Sequence, residues 1–140
     1  MARPDRTTLE VVHDHLRCRA TGAVEEDLAR NYDEEVVVVS GATARRGHGA
    51  ARELARELQP SAGQPTFEYI HRIVEGNIAY LVWRSRWAGV HVHDGTETYI
   101  CRDGRIVTHT LHYSLTAKQA PDATRPSQWR ADRDADARRW

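Results

Sequence analysis

A chain of 140 residues with 40% apolar side chains can build one domain around one core. Twenty basic residues balance twenty acidic ones, so no overall field draws the molecule to nucleic acid or anionic lipid. No stretch approaches the roughly 18 apolar residues of a membrane span, and the opening MARPDRTTLE lacks the apolar run of a secretory signal; the expectation is a cytoplasmic protein with neither nucleic acid nor membrane as partner. Cys18 and Cys101 lie far apart without metal-ligand spacing and read as reduced thiols, which suits the same compartment.

Thr7 or Thr8, with Asp5 as the alternative, can cap a first helix, with Leu9, Val12, Leu16 and Ala20 as its apolar stripe and Gly22 as its end. A second helix over 23–32 carries Val24, Leu28 and Tyr32 on one side, and Asp33-Glu34-Glu35 breaks the pattern. Four valines in Val36–Ser40 favour a buried strand. Residues 41–49 read as a loop and 50–58 as a third helix, closed by Pro60 and followed by a linker to Pro65. The period then changes to two. Strands are expected over 66–74 and 78–93, the latter bulged near Ala88-Gly89. Asp94-Gly95 signals a hairpin, 97–102 a strand, Asp103-Gly104 a second hairpin and 105–115 the last strand. The domain is expected to span residues 1–116. Residues 117–140 form a polar tail in which Ser127 could cap a short helix holding Trp129 and Trp140. Three N-terminal helices followed by an antiparallel meander define an α+β fold, with the helices covering one face of a curved sheet and a pocket between the layers.

The segment GVHVHDGTE (89–97) raises a metal site, an acid/base pair or a plain strand end as its readings. His-x-His with a following glutamate suits a metal, but no second ligand motif accompanies it, so no metal and no cofactor is expected. Register decides the acid/base reading. A two-residue turn at Asp94-Gly95 points Glu97 away from His91 and His93; a three-residue loop puts Glu97 opposite His93, and a one-residue slip reverses every side chain. With a two-residue turn at Asp103-Gly104, Glu97 faces Thr110 and lies diagonal to His112. A carboxylate beside an imidazole can poise it for proton transfer, so Glu97, His112 and His91 are the candidate catalytic residues. The candidate ligand-binding residues are His15, one position off the helix-one stripe; Tyr69 and His71, expected on one strand face; and Trp83, Tyr99 and Thr110.

The same order of elements carries TLEVVHDHLRCRATG, LARNYDEEVVVVSG, RGHGAARELARELQP, EGNIAYLVWRSRWAG and ETYICRDGRIVTHTLHYSL. Together these segments, over about residues 7–116, resemble the nuclear transport factor 2-like superfamily, which includes SnoaL-like cyclases and ketosteroid isomerases. The resemblance implies three helices against a strongly curved sheet, a cone with an apolar pocket, and a homodimer formed through the sheet. Its isomerases place a tyrosine where His15 stands and a basic aspartate where Val39 or Ser40 stands, so their usual mechanism does not carry over. Its cyclases pair a histidine, matched by His91, with an aspartate, matched by Glu97. Three functions follow as expectations: a cofactor-free acid/base enzyme acting on a small apolar substrate, a non-catalytic pocket for a small ligand, or a dimeric interaction module. In this reading Glu97→Gln leaves the fold intact.

Overall fold

The computed structural model describes residues 5–58, 66–87 and 89–117. The expected linker over 61–65 and nearly all of the expected tail lie outside these residues. Helix α1 (Thr8–Thr21) opens on a capping box: the Thr7 hydroxyl accepts the Glu10 N–H at 3.2 Å, and the Glu10 carboxylate accepts the Thr7 N–H at 2.7 Å. Gly22, at φ 72°, closes it in the left-handed conformation. Helices α2 (Val24–Asn31) and α3 (His48–Leu58) follow the expected order. The buried face of α1 is not the expected stripe. Val11, Val12, His15 and Cys18 point inward, while Leu9 is exposed. A purely apolar reading of this helix selects the neighbouring face, because the true inner face carries polar groups.

Among the described residues seven strands form one mixed sheet: β1 (Tyr32–Ser40), β2 (Thr43–Arg46), β3 (Thr66–Glu75), β4 (Ile78–Trp87), β5 (Val90–Arg102), β6 (Arg105–His112) and β7 (Leu115–Ala117). The order is β2-β1-β6-β5-β4-β3, with β7 pairing β5. β1 runs parallel to β6 and every other pairing is antiparallel, so the sheet is not the wholly antiparallel one expected. The long crossover through α3 and the meander permits this parallel pair. Strand β2 was expected as loop; all four of its residues are exposed at the sheet edge, so it carries no hydrophobic alternation to read. Asp33-Glu34-Glu35, expected as a break, lies within β1.

Two turns and three bulges set which side chains face the helices. Asp103 (φ 52°) and Gly104 (φ 72°) make the expected two-residue hairpin turn. Asp94-Gly95 is no turn: both residues lie inside β5, and β4 gives way to β5 around Gly89, at φ 80°. Trp83 pairs with Gly95 and Ser85 with Val92, so His93 and Asp94 hold an extra residue in β5. The Asp94 carboxylate accepts the Ser114 N–H at 2.8 Å, tying this bulge to the break between β6 and β7. A second bulge at Ile70 puts Tyr69 opposite Trp83 but turns His71 out to solvent, so these two do not share a face. The third, at Val107, lets Ile100 pair with Thr108 and Cys101 with Ile106.

The core lies between the helices and the concave side of the sheet, with Val11, Val12, Leu54, Leu58, Leu81, Trp83 and Ile106 at its centre. Gly95 belongs to this packing. A Cβ there would stand 2.3 Å from Trp83 Cδ2 and 2.4 Å from Cε2, so only a hydrogen leaves room for the indole. Gly95→Ala should therefore destabilise by about 2 kcal/mol or more through overpacking. Gly49→Ala, in α3 with open space around its Cβ, should not destabilise. Urea unfolding of both variants checks the contrast.

Candidate functional site

The bulge at Val107 determines the site. Without it, Glu97 would face Thr110; with it, Glu97 pairs with Leu111, Tyr99 with His109, and Thr98 with Thr110. Glu97 and Tyr99 thus share the inner face with His109, while Thr110 turns to the outer face and His112 is exposed opposite Thr96. The structure does not bring His112 to Glu97. Nor does it bring His91, which lies six residues away along β5, roughly 20 Å of strand. His91 lies beside His93, with ring centroids 5.6 Å apart and the planes tilted by 57°.

Helix α1 supplies the other half. His15 and Arg19 are one turn apart on its inner face. Arg19 grips Glu97 with both ends of its guanidinium, NH1 to Oε2 and NH2 to Oε1, each at 2.8 Å. NH2 also donates to the Tyr99 hydroxyl at 3.2 Å. The His109 Nε2–H donates to Glu97 Oε1 at 3.0 Å, because an ionised carboxylate can only accept. His109 Nδ1 is then the acceptor for the Tyr32 hydroxyl at 3.0 Å. On the other side, His15 Nδ1 meets Asp27 Oδ2 at 2.8 Å and His15 Nε2 meets the Tyr99 hydroxyl at 2.9 Å. With Arg19 donating to the Tyr99 oxygen, the Tyr99 proton points at His15 Nε2 and the His15 Nδ1–H points at Asp27. Two carboxylate–imidazole–phenol chains result, Asp27–His15–Tyr99 and Glu97–His109–Tyr32, and Arg19 joins them.

Burial works against the Glu97 charge, but the Arg19 guanidinium and the hydrogen bonds from Arg19 and His109 outweigh it and hold the carboxyl far below the usual carboxylate range. Arg19 is pulled the other way: burial lowers it, and the Glu97 charge more than compensates. Burial also depresses His109, against the raising effect of Glu97, so its ring stays neutral. Burial lifts Tyr99 and Tyr32 well above the ordinary phenol, so both remain protonated donors. Glu97 is thus a permanent anion with no proton to give, wholly buried at 0% exposure.

His15, Arg19, Asp27, Tyr32 and His109 form one wall of a cavity of about 30 Å³, faced across by Leu28, Leu54 and Leu58. That is room for one or two water-sized groups. Glu97 and Tyr99 stand behind the wall. Of the expected ligand-binding residues, His15 and Tyr99 enter the network, Tyr69 reaches Arg19 from β3, Trp83 faces inward elsewhere on the sheet, and His71 and Thr110 face out. Sequence reasoning missed Arg19, Asp27, Asn31 and His109. The available signal was the spacing of four between His15 and Arg19 and between Asp27 and Asn31, which puts each polar pair on one helix side. Among the described residues no group of three or more His, Cys, Asp or Glu side chains is arranged to hold a metal ion, and no helix is long and apolar enough to cross a membrane.

Residues 12–109 match the family model described as the SnoaL-like domain. The chain belongs to that family, within the nuclear transport factor 2-like superfamily. Among curated proteins no match is found. Several solved structures share the fold. One is a nuclear transport factor 2-like protein of unknown function from Burkholderia xenovorans LB400, at TM-score 0.64 and 19% identity, covering 89% of this chain and 90% of that one. Another is a provisionally named ketosteroid isomerase from Kribbella flavida DSM 17836, at 0.66 and 15%, covering 84% of each. A third is a provisionally named SnoaL-like polyketide cyclase from Shewanella putrefaciens CN-32, at 0.62 and 7%, covering 76% and 79%. At these identities the likeness shows the fold alone.

Two groups of the buried network, His109 and Glu97, contribute to the pH dependence of stability. A depressed imidazole gives stability that is full above the ordinary range near about 6.5 and is lost as pH falls below it. A depressed carboxyl gives stability that is full above about 4.3 and is lost as pH falls toward its folded value. Urea midpoints should therefore drop in two stages between pH 8 and pH 3, from His109 first and Glu97 second. Glu97→Gln should shrink the second stage without abolishing it, because Asp14 and Asp94 are also held below the ordinary carboxylate range. It should also cost about 3–5 kcal/mol at neutral pH, because it leaves the Arg19 charge buried without its counter-ion. The cost expected from the buried ion pair replaces the sequence-based expectation of a neutral substitution, and the urea midpoint decides between them.

Proposed function

We propose that this protein is a cofactor-free acid/base enzyme of the cyclase, isomerase or hydrolase type, acting on a small and largely apolar substrate. The observation that carries the reading is the Asp27–His15 pair in the polar wall of a cavity whose other side is apolar, with Tyr99 bonded to His15 from behind. An imidazole held by a carboxylate on one ring nitrogen is built to take a proton on the other. His15 is the proton carrier in this reading and Asp27 its orienting partner. Arg19, which lines the cavity, supplies a donor toward developing negative charge. Glu97, locked in its ion pair, anchors Arg19 and His109 and moves no proton. Turnover requires the cavity, at about 30 Å³, to widen around the substrate and His15 Nε2 to exchange its bond to Tyr99 for one to the substrate. Names given to relatives of the fold, ketosteroid isomerase and polyketide cyclase, fit proton transfer next to a carbonyl. A reducing cytoplasm suits the two free, buried thiols.

One observation favours a second reading, a binding pocket without catalysis: the ring nitrogens of both histidines are already satisfied within the protein. A screen of small apolar ketones, lactones and enol esters separates the two. On any substrate turned over, His15→Gln should lower kcat by about 10²–10⁴ while His112→Gln leaves it unchanged. Equal turnover in His15→Gln would remove the proton-carrier role. Ligands that bind to the wild type without reaction would favour the second reading.

The same proposal includes a second copy of the chain on the convex side of the sheet. Ile73 and Tyr80 pair across β3 and β4 there, exposed at 54% and 38%, with Ile78 beside them. An apolar face of this kind suits association. Light scattering should give twice the chain mass for the wild type and the single-chain mass for Tyr80→Glu.

A further inference from the structure

Asn31 is wholly buried at the end of α2, and all three directions of its amide are used. Its Nδ2 donates to Asp27 Oδ1 and to Asp14 Oδ2, each at 2.8 Å. Its Oδ1 accepts from Arg6 NH2 at 2.6 Å. Two carboxylates on one side and a guanidinium on the other fix which end is nitrogen and which is oxygen. Asp27 therefore has one oxygen on Asn31 and the other on His15 Nδ1, and its plane is set by both. Beyond Asn31, Arg6, Asp14 and Arg30 line a surface groove, and Arg30 holds Asp14 with Nε at 2.9 Å. A continuous line of hydrogen bonds thus runs from a solvent-facing groove through Asn31 and Asp27 to the His15 ring.

We propose that Asn31 is a positioning residue for His15: by fixing the Asp27 carboxylate it holds the ring in the Nδ1–H tautomer and leaves Nε2 as the acceptor that faces Tyr99. This rests on the reading of His15 as proton carrier. It adds to that reading the residue that decides which ring nitrogen can take the proton. Arg6 acts one step further out, by denying the Asn31 amide its flipped orientation. A flipped amide would aim its oxygen at two carboxylates, so the guanidinium and the two acids select the same orientation independently.

The test is two-dimensional ¹⁵N NMR of the histidine rings, at a pH where His15 is neutral, on wild type, Asn31→Leu and Arg6→Gln. Wild type should show His15 as the Nδ1–H tautomer. Asn31→Leu should move the tautomer ratio about fivefold or more toward Nε2–H, the size expected from losing one hydrogen bond to the carboxylate. Arg6→Gln should move it the same way by less. A folded Asn31→Leu protein with the wild-type ratio overturns the proposal. Should Asn31→Leu not fold, an unchanged ratio in the smaller replacement Asn31→Ala overturns it instead, because the two acids hold the amide even without Arg6. The two readings fail separately. Unchanged turnover in His15→Gln ends the proton-carrier role while a shifted tautomer still establishes what Asn31 does, and an unshifted tautomer removes Asn31 while leaving His15 in place.

Discussion

The bidentate pair between Arg19 and Glu97 is the interaction on which the interior depends. A carboxylate at 0% exposure carries a desolvation cost of several kcal/mol, and only a well-placed counter-ion with further hydrogen bonds offsets it. Arg19 supplies both from α1, across 78 residues of sequence. Once the pair is formed, its leftover valences order the neighbourhood. The second Glu97 lone pair fixes the His109 tautomer, and the second Arg19 donor fixes the Tyr99 hydroxyl. Tyr32 and His15 then have one arrangement each. A hydrophobic replacement of similar shape could be as stable, so stability alone does not explain why these groups stand together.

The donors and acceptors of the network match without remainder along one direction. Asp27 and Glu97 are acceptors at the two ends, each imidazole passes one proton-bearing nitrogen toward its carboxylate, and each phenol donates to the nitrogen left over. Such a set rigidifies a core when every member is present and is costly when one is missing. This is why the leucine side of the cavity and the polar side have different tolerances. Shortening Leu54 leaves a void, whereas removing Arg19 strands a charge.

The sequence carried the fold in its turns and periods. A helix cap at Thr7 or Thr8, the Asp103-Gly104 hairpin and the switch from period 3.6 to period two were all legible, and together with the motif segments they were enough to suggest the superfamily. The site was less legible, for a specific reason. One added residue at Val107 reverses every partner of Glu97, and nothing in the local composition of RIVTHTLH marks a bulge. The Asp94-Gly95 pair misled in the opposite sense: its glycine serves the Trp83 ring rather than a turn. Helix α1 hid its inner face because His15, Cys18 and Arg19 sit where apolar residues are expected. Tyr99 and Glu97 were found because they alternate on a strand whose parity, once set, held over three inward positions.

The parallel pairing of β1 with β6 has a consequence for how the molecule assembles. Val37 pairs with Thr108 and Val38 with His109, so this edge closes a loop that contains α3 and most of the meander. Loop closure of that length is entropically expensive before any contact offsets it, and non-local pairs of this kind form slowly. The hairpins of β3 to β6 need only local turns. On the way to the native state, then, the inner face of β5 and β6 exists before α1 and β1 have covered it. During that interval Glu97 and His109 stand in water, and the charge of Glu97 costs nothing. Desolvation falls at the moment Arg19 arrives, so the chain never has to bury the carboxylate alone.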